Sequence, residues 1–264
     1  MAVDTTNCTV VALDDKGERV LATGDAALRV NGGGQGPVSA EWMIPKALWI
    51  KENEPAVFEK ARWICEYQGG IDAQIAMVGL GAVRAGDMAL IMGSSHLHLA
   101  VAPNPSLHGP GMFGAYRDAL GPGLHVAEGG QTSTGSAVRW LHSLLGEPGY
   151  AVLDAEAAAV PPGCEGLASL DHFQGCRTPH TDAASRGAFV GLSLRHGRAH
   201  LHRALLESVC FGTALVLETM RGNGVAPGRI VCAGGPTKSR FWLQMHADII
   251  GLPLQLTKCA RGVN

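Results

Sequence analysis

Two glycines bring a carboxylate to the start of an apolar helical run in residues 69–81, GGIDAQIAMVGLG. Glycine lets the backbone come close to a ligand, and Asp72 then lies in the first turn of the predicted helix. A carboxylate in this position can cap free backbone N–H groups, or it can accept a proton from a substrate hydroxyl in a cleft. This stretch by itself favours the helix cap, whereas three further glycine-rich turns later in the chain favour the role of Asp72 as a proton acceptor in a cleft.

The composition is typical of a globular protein and shows no bias towards nucleic acid. The 264 residues are 46% hydrophobic and 17% charged, which allows one large or two modest domains with a sizeable core. The 21 basic and 23 acidic residues leave a formal net charge of −2, and no run of like charges forms a tail. We therefore do not expect nucleic acid as a partner.

Cysteine usage and the first residues indicate a cytoplasmic location. The seven cysteines are scattered without a C-x-x-C pair, so neither a zinc site nor a disulfide framework is predicted, and we interpret them as reduced core thiols. The chain begins with MAVDTTN, which is polar and acidic, and no apolar run approaches the length of a membrane span. Neither secretion nor membrane insertion is expected.

Hydrophobic periodicity and turn residues predict alternating strands and helices along most of the chain. Short continuous apolar or β-branched runs predict strands, and apolar residues that recur every three or four positions predict helices. The first half of the chain is predicted to form a hairpin at 9–13 and 19–22, a helix opened by Pro45, a helix at 54–67 and the helix after Asp72. The second half is predicted to form strands at 88–92, 124–127 and 229–233 and helices at 136–145, 198–220 and 241–250. In the long helix at 198–220, the residues predicted to face the core are Leu201, Leu205, Val209 and Leu215.

Three glycine-rich turns follow predicted strands. Their sequences are GSS at 93–95, EGGQTSTG at 128–135 and GGPTKS at 234–239. Small hydroxyl residues and free N–H groups on such turns can hold phosphate oxygens, and the N-terminus of a following helix favours anions. We expect these turns to lie at strand-to-helix junctions and to form a nucleotide pocket.

Other chemistries fit the residues less well. Residues 79–81 read GLG, but Arg84 stands where a dinucleotide fingerprint needs its third glycine, so a Rossmann oxidoreductase is a weak alternative, and no G-x-x-x-x-G-K-[ST] motif is present. The serines of the turns lack the G-x-S-x-G elbow of a serine hydrolase. His96 and His98 have no carboxylate at ligand spacing, which favours strand or surface histidines over a metal site.

In combination, these motifs resemble the FGGY family of carbohydrate kinases, and most closely its pentulose (ribulose and xylulose) members. The hairpin, the Gly-Gly-x-Asp helix and the three glycine-rich turns follow one another in the family's order. The most specific similarity is to the family's carboxyl-domain signature, at GAFVGL (187–192), His200-Leu201 and ALLE (204–207). Further similar segments are RTPH at 177–180, AGGPTKS at 233–239 and FWLQ at 241–244.

The resemblance implies an α/β fold of the actin-like ATPase (ribonuclease H-like) type, in which two α/β domains surround a cleft for sugar and MgATP. It implies a shortened amino-terminal sugar and catalytic domain at 1–85 and a carboxyl-terminal nucleotide-binding domain at 86–264. The implied activity is ATP-dependent phosphorylation of a pentulose such as D-ribulose by a cytoplasmic enzyme. A homodimer is compatible with this assignment.

The resemblance also implies a role for individual residues. Asp72 corresponds to the catalytic base that takes the proton from the sugar hydroxyl and so also contacts the sugar, and Glu128 corresponds to a second carboxylate that contacts it. Asp4 corresponds to a carboxylate near Mg²⁺ and the phosphates. The structural alternatives are a helix cap for Glu128 and a turn residue for Asp4. The positions that correspond to the nucleotide site are Gly93, Ser94, Ser95, Gly135, Gly234, Gly235 and Ser239.

The sequence departs from the family pattern in three places. The family opens with Asp-x-Gly-Thr-x-Ser, whereas residues 4–8 read DTTNC, with Thr6 at the glycine position. A long stretch that completes the amino-terminal domain is missing between Tyr67 and Gly69, and residues 256–264 end where the family continues with a further strand and helix. The alternatives to an active pentulose kinase are therefore a catalytically impaired sugar- or nucleotide-binding remnant and a kinase of a polyol such as glycerol or erythritol.

Overall fold

The computed structural model describes residues 10–13, 19–23, 50–53, 55–60, 63–66, 72–104 and 109–257. The chain divides into two compact units, Met1–Ile75 and Ala76–Asn264. The predicted domain boundary at residues 85 and 86 lies slightly further along the chain and stays a prediction. The helix predicted from Pro45 lies mostly outside the described residues.

The first unit contains a small antiparallel sheet. Its strands are β1 (Val10–Leu13), β2 (Arg19–Thr23) and β3 (Trp63–Glu66), in the order β2-β1-β3. The pairing of β1 with β2 confirms the predicted hairpin. A short helix, α1 (Pro55–Lys60), precedes β3.

The helix predicted at 54–67 is wrong in its second half, because α1 ends at Lys60 and β3 follows. The residues of β3, Trp63-Ile64-Cys65-Glu66, begin with an aromatic and a β-branched side chain, which favour strands. Their backbone pairs with β1, and this tertiary pairing outweighs the apolar spacing that predicted a helix. The helix predicted after the two glycines is confirmed as α2 (Asp72–Gly79), with Asp72 as its first residue.

The second unit is built on a six-stranded mixed sheet with the order β11-β10-β4-β5-β7-β6. Strand β10 runs parallel to β4 and β11, and the pairs β4–β5, β5–β7 and β6–β7 are antiparallel. The strand bounds are β4 (Asp87–Met92), β5 (His96–Ala102), β6 (Gly114–Gly121), β7 (Leu124–Gln131), β10 (Arg229–Gly234) and β11 (Leu254–Leu256), and a separate ribbon consists of β8 (Ala168–Leu170) and β9 (Ala188–Val190).

Four helices accompany this sheet: α3 (Gly135–Leu144), α4 (Tyr150–Ala158), α5 (Arg198–Gly222) and α6 (Arg240–Ile250). Alternate residues of β4 share one face, and that face is buried against α5 and α6. The resulting core contains Met88, Leu90, Met92, Ala127, Val216, Leu217, Met220, Ile230, Cys232, Leu243 and Ile250. A second cluster packs α3 against α5 and α6 through Ala137, Val138, Leu141, Leu205, Leu206, Val209, Trp242 and Met245.

The inward face of α5 agrees with the prediction except at one residue. Leu205 and Val209 are fully buried and Leu201 packs against the second cluster, but Leu215 is 39% exposed. A helix turns about 100° per residue, so the stripe that contains Leu205 and Val209 continues through Val216 rather than Leu215. The prediction of Leu215 as a core residue is therefore wrong.

Three histidines are fully buried beside this core. His96 and His98 belong to β5, as expected of strand histidines, and His246 belongs to α6. The ring centroids of His96 and His246 are 5.6 Å apart, and those of His96 and His98 are 6.4 Å apart. Burial lowers the pKa of His98 to about 3 and that of His246 to about 4, and it also lowers the pKa of His96. All three imidazoles are therefore neutral at neutral pH.

Four cysteines of the second unit are buried. Cys164, Cys176, Cys210 and Cys232 are free thiols inside the second unit, as predicted for those four. Within the described ranges, no helix combines the length and the apolar character that crossing a membrane requires.

Candidate functional site

The turn after β4 lies against the N-terminal end of α3. It consists of residues 93–95 and joins β4 to β5, so the prediction of a strand-to-helix junction is wrong here: the chain turns back to pair β5 with β4. The carbonyl oxygen of Ser94 accepts hydrogen bonds from the backbone N–H groups of Thr134 (3.0 Å) and Ser136 (3.1 Å) and from the Ser136 hydroxyl (2.9 Å). These bonds fix the turn to α3, and they also occupy N–H groups at the start of that helix.

Two glycines permit close backbone approaches at this place. The N–H of Gly135 donates to the carbonyl oxygen of Gly93 (3.2 Å), and a Cβ atom on Gly135 would lie 2.3 Å from that oxygen. Gly234, at the end of β10, has a φ of +112°, and a Cβ atom there would lie 1.9 Å from the carbonyl oxygen of Met92. By contrast, nothing lies within 4 Å of a Cβ atom placed on Gly235, which faces open space.

Replacing Gly135 by alanine is expected to lower the free energy of unfolding by about 1–3 kcal/mol, the usual cost of overpacking. The new methyl group would overlap a backbone carbonyl, which cannot rotate away as a side chain can. Urea denaturation would measure the effect. Gly222→Ala is the matched control, because nothing lies within 4 Å of its added Cβ atom. Equal stability of the two variants would contradict the tight approach.

Gly93, Gly135 and Gly235 line a groove of about 760 Å³. This volume lies within the range of about 300–1,000 Å³ that is usual for small-molecule sites. Four of the predicted nucleotide positions line this groove: Gly93, Ser94, Gly135 and Gly235. Gly234 immediately precedes Gly235 in the chain, whereas Ser95 and Ser239 are not part of the wall. The wall is formed by Gly93, Ser94, Gly135, Ser136, Arg139, Trp140, His142, Ser143, Glu147, Tyr150, Gly235 and Pro236.

The side chain of Ser239 is engaged within the protein. Its hydroxyl caps α6 by accepting the N–H of Trp242 (3.1 Å) and donates to Oδ2 of Asp154 (2.6 Å). The other carboxylate oxygen of Asp154 lies 2.9 Å from Nε2 of His202. Burial raises the pKa of Asp154, but the hydrogen bonds with His202 and Ser239 outweigh burial and hold that pKa below its ordinary value. Ser239 thus ties the turn at 235–238 to α4 and α5, and its direct contact with a nucleotide stays a prediction.

Glu128 lies in β7, so its alternative role as a helix cap is wrong. The strand continues through residues 128–131, which the sequence predicted as a turn, because this segment pairs with β5. The Glu128 residue is only 7% exposed, and its carboxylate accepts hydrogen bonds from the Tyr116 hydroxyl (2.8 Å) and from Nη1 of Arg177 (3.3 Å). Burial, together with the charge of Glu128 and the hydrogen bond to it, raises the pKa of Tyr116.

Neighbouring residues hold the partners of Glu128 in place. The Arg177 guanidinium lies 3.8 Å from the ring centroid of Phe113, which is a cation–π distance. A Cβ atom on Gly130 would lie 2.9 Å from Arg177 Cδ, and one on Gly114 would lie 2.9 Å from the Tyr116 hydroxyl, so both glycines make room for the cluster. The cluster presents a carboxylate acceptor beside a guanidinium donor, an arrangement that can bind neighbouring hydroxyl groups.

The two remaining predicted site residues are placed only in part. Asp72 is the first residue of α2 and belongs to the first unit, which ends at Ile75. Only its backbone is described. Asp4 lies outside the described residues. In the ranges that the structure describes, no three His, Cys, Asp or Glu side chains are grouped so that they could hold a metal ion.

Sequence reasoning missed several residues around these sites. Arg177 carried a signal, since it belongs to the RTPH segment at 177–180. No sequence motif marks Tyr116 or Asp154, because strand register and helix packing bring their hydrogen-bond partners to them. The aromatic residues of the groove, such as Tyr150, were likewise unmarked in the sequence.

A mixed sheet flanked by helices, with a glycine-lined groove beside its strand ends, defines an α/β protein, and its solved structural neighbours show that the fold is of the actin-like ATPase type. Solved structures share the fold: a xylulose kinase from Rhodospirillum rubrum has a TM-score of 0.76 at 24% identity, covering 94% of this chain and 70% of that one. A xyloylose kinase from Brucella ovis has a TM-score of 0.82 at 19% identity, covering 96% of this chain and 70% of that one.

The sequence comparisons identify the family. The profile of the FGGY family of carbohydrate kinases, C-terminal domain, matches residues 88–263, and the chain belongs to this family. A ribulokinase from Shouchella clausii is 32% identical over 201 residues, which cover 71% of this chain and 36% of the ribulokinase. A glycerol kinase from Rhodospirillum centenum is 32% identical over 206 residues, which cover 77% of this chain and 41% of the glycerol kinase. The matched region thus spans only a little over a third of these curated relatives.

Proposed function

We propose that this chain functions in ATP-dependent phosphorylation of a sugar hydroxyl, with a pentulose such as D-ribulose as the acceptor. The observation that carries the proposal is the groove whose wall brings together Gly93, Ser94, Gly135 and Gly235. Backbone this close to a ligand can follow the phosphates of a nucleotide without side chains in the way. The similarity to ribulokinases supports a pentulose.

In this proposal the reaction is an in-line transfer of the γ-phosphate. Asp72 accepts the proton of the sugar hydroxyl as that hydroxyl attacks phosphorus, and the bond to the leaving ADP oxygen breaks. A bound Mg²⁺ would supply neutralisation of charge on the phosphates, and such a site would need only one or two protein carboxylates. Asp4 is the proposed carboxylate.

Glu128 is proposed to contact the sugar. Its carboxylate is held by Tyr116 and Arg177, so it is oriented before a sugar arrives. Orientation of this kind lowers the entropy lost on binding. The arrangement suits a neutral polyhydroxyl compound, since the carboxylate accepts from one hydroxyl while the guanidinium donates to another.

Residues 1–85 and 86–264 are proposed as the sugar and nucleotide domains, in a cytoplasmic protein that can form a homodimer. Because closure of both lobes supplies much of the rate in such reactions, a shortened sugar domain should impair catalysis more than nucleotide binding. A catalytically impaired remnant is thus the second candidate. A polyol kinase is the third, favoured by the similarity to a glycerol kinase.

Calorimetric titration with ADP, run beside a phosphate-transfer assay, tests these candidates. We expect weak ADP binding through residues 86–258 and sugar phosphorylation far below that of the Shouchella clausii ribulokinase assayed in parallel. The acceptors should be ketopentoses, glycerol and erythritol. Turnover of glycerol but of no pentulose would contradict the pentulose assignment. Absence of ADP binding by folded protein would contradict the nucleotide groove. Sugar phosphorylation as fast as that of the ribulokinase would contradict the proposed impairment of catalysis.

A further inference from the structure

Three side chains from different elements form a continuous chain of hydrogen bonds beside the groove. Nε2 of His202, on α5, lies 2.9 Å from Oδ1 of Asp154, on α4, and the hydroxyl of Ser239, just before α6, lies 2.6 Å from Oδ2. His202 is 1% exposed, so one end of the chain is fixed in the close-packed interior. None of the three is among the described residues that line the groove.

The direction of these hydrogen bonds follows from the charge of Asp154. Burial raises its pKa, but the hydrogen bonds with His202 and Ser239 outweigh burial and hold the pKa below its ordinary value, so the carboxylate is ionised at neutral pH. Because an ionised carboxylate only accepts, the His202 N–H and the Ser239 O–H both donate to it. The single proton of the Ser239 hydroxyl is therefore committed to Asp154, and none remains for a phosphate oxygen.

The two elements that Asp154 joins both contribute to the groove wall. Helix α4 carries Tyr150, one turn before Asp154, and the turn between β10 and α6 carries Gly235 and Pro236. The backbone N–H of Ser239 donates to the carbonyl oxygen of Pro236 (3.0 Å), so the positions of these two residues are coupled. Loss of the bond between Asp154 and Ser239 would release this part of the wall from α4.

We propose that Asp154 and His202 are positioning residues of the nucleotide groove, and that Ser239 affects nucleotide binding through them rather than by touching the nucleotide. This inference rests on the proposed nucleotide groove and assigns the support behind its wall. If the wall is correctly placed in only a fraction of the molecules, the apparent affinity for a ligand falls by that fraction. The competing hypothesis is the direct nucleotide contact predicted for Ser239.

A double-mutant cycle with Asp154→Ala and Ser239→Ala, measured by calorimetric titration of the full chain with ADP, tests the proposal. Each single substitution is expected to weaken ADP binding about tenfold, as for a wall correctly placed in about one molecule in ten. The double variant should bind ADP no more weakly than either single variant, because both substitutions remove the same link. If Ser239 touched the nucleotide, the two losses would multiply, and this result would overturn the proposal.

Two further variants separate positioning from a general effect on α4 and α6. Glu156→Ala is the matched control, because Glu156 also lies on α4 and pairs with Arg198 of α5, but it is not among the described residues that line the groove. Its ADP affinity should be unchanged. Ser239→Thr keeps a hydroxyl that can cap α6 and should bind ADP like the unsubstituted protein. Unchanged affinity in Asp154→Ala, or an equal loss in Glu156→Ala, would overturn the positioning role.

Hydrogen exchange of residues 234–239, measured by mass spectrometry without nucleotide, gives a second readout. Exchange should be faster in Asp154→Ala and Ser239→Ala but unchanged in Glu156→Ala, because only the first two release the turn. Unchanged exchange in Asp154→Ala would overturn the positioning role while leaving the nucleotide groove intact. Failure of the folded, unsubstituted chain to bind ADP would overturn the proposed function, and the positioning role with it.

Discussion

Substituting Asp72 by asparagine is expected to lower sugar phosphorylation roughly 10²–10⁴-fold, the usual contribution of a general base. Asparagine has nearly the same shape but cannot take the proton from the attacking hydroxyl. ADP affinity should stay nearly unchanged, because asparagine keeps the size of aspartate and the substitution removes only the group that takes up the proton. Initial rates with saturating ATP and ribulose, beside ADP titration, would measure both quantities.

The same substitution separates catalysis from helix capping. Asparagine caps a helix about as well as aspartate, so a cap at Asp72 would tolerate the change. Asp248→Asn is a matched control, since Asp248 is exposed on α6, accepts a hydrogen bond from Gln244 and is not among the described residues that line the groove. Unchanged turnover of Asp72→Asn would refute the role of Asp72 as base.

Acidification is expected to destabilise the protein steeply below pH 6.5 because of His96, His98 and His246. In the folded protein burial keeps these side chains neutral, with the pKa lowered to about 3 for His98 and to about 4 for His246. In the unfolded chain each histidine binds a proton near its ordinary pKa of 6.5. The unfolded state therefore takes up more protons, so stability is fully present above pH 6.5 and decreases as the pH falls towards 4.

The size of this effect follows from proton linkage. Each histidine costs about 1.4 kcal/mol per pH unit within its window, and the three together cost up to about 4 kcal/mol per unit. Since domains are usually stable by about 5–15 kcal/mol, we expect the protein to unfold between about pH 4 and 5.5. Urea denaturation followed by circular dichroism at pH 7.5, 6.5, 5.5 and 5.0 would measure the slope.

Two variants assign the slope to the buried histidines. His246→Leu removes one buried imidazole, and the dependence of its unfolding free energy on pH should be about one third less steep between pH 6.5 and 5. His180→Gln alters an exposed histidine and should keep the slope of the unsubstituted protein. Equal slopes in all three proteins would show that the buried histidines do not govern acid stability.

Local sequence patterns predicted the parts of the site that depend on neighbouring residues. The glycines at 93, 135, 234 and 235 were assigned to the site by the resemblance to carbohydrate kinases, and the structure shows why glycine is needed at Gly135 and Gly234: a Cβ atom at either would collide with a backbone carbonyl. The helices after two of the glycine-rich turns were predicted within a residue or two of α3 and α6. These features are encoded over a few consecutive residues.

Errors arose where tertiary contacts outweighed local patterns. Residues 63–66 have helical apolar spacing but form β3, because pairing with β1 supplies their backbone hydrogen bonds. The segment 128–131 reads as a turn but pairs with β5. Leu215 fits the apolar spacing of the predicted helix, yet it is 39% exposed, whereas the neighbouring Val216 is buried in the core.

The sequence by itself determined the hairpin, the helices at 135–144 and 240–250 and the resemblance to carbohydrate kinases that implied the α/β fold, because periodicity, turn chemistry and short motifs are local properties of the chain. Only the tertiary structure decided which groups meet: that Tyr116 and Arg177 converge on Glu128, that Asp154 holds Ser239, and that His142 and Tyr150 stack in the groove. The physical reason is that strand register and helix packing are set by burial of the whole core, so residues far apart in the chain become neighbours without any mark in the local sequence.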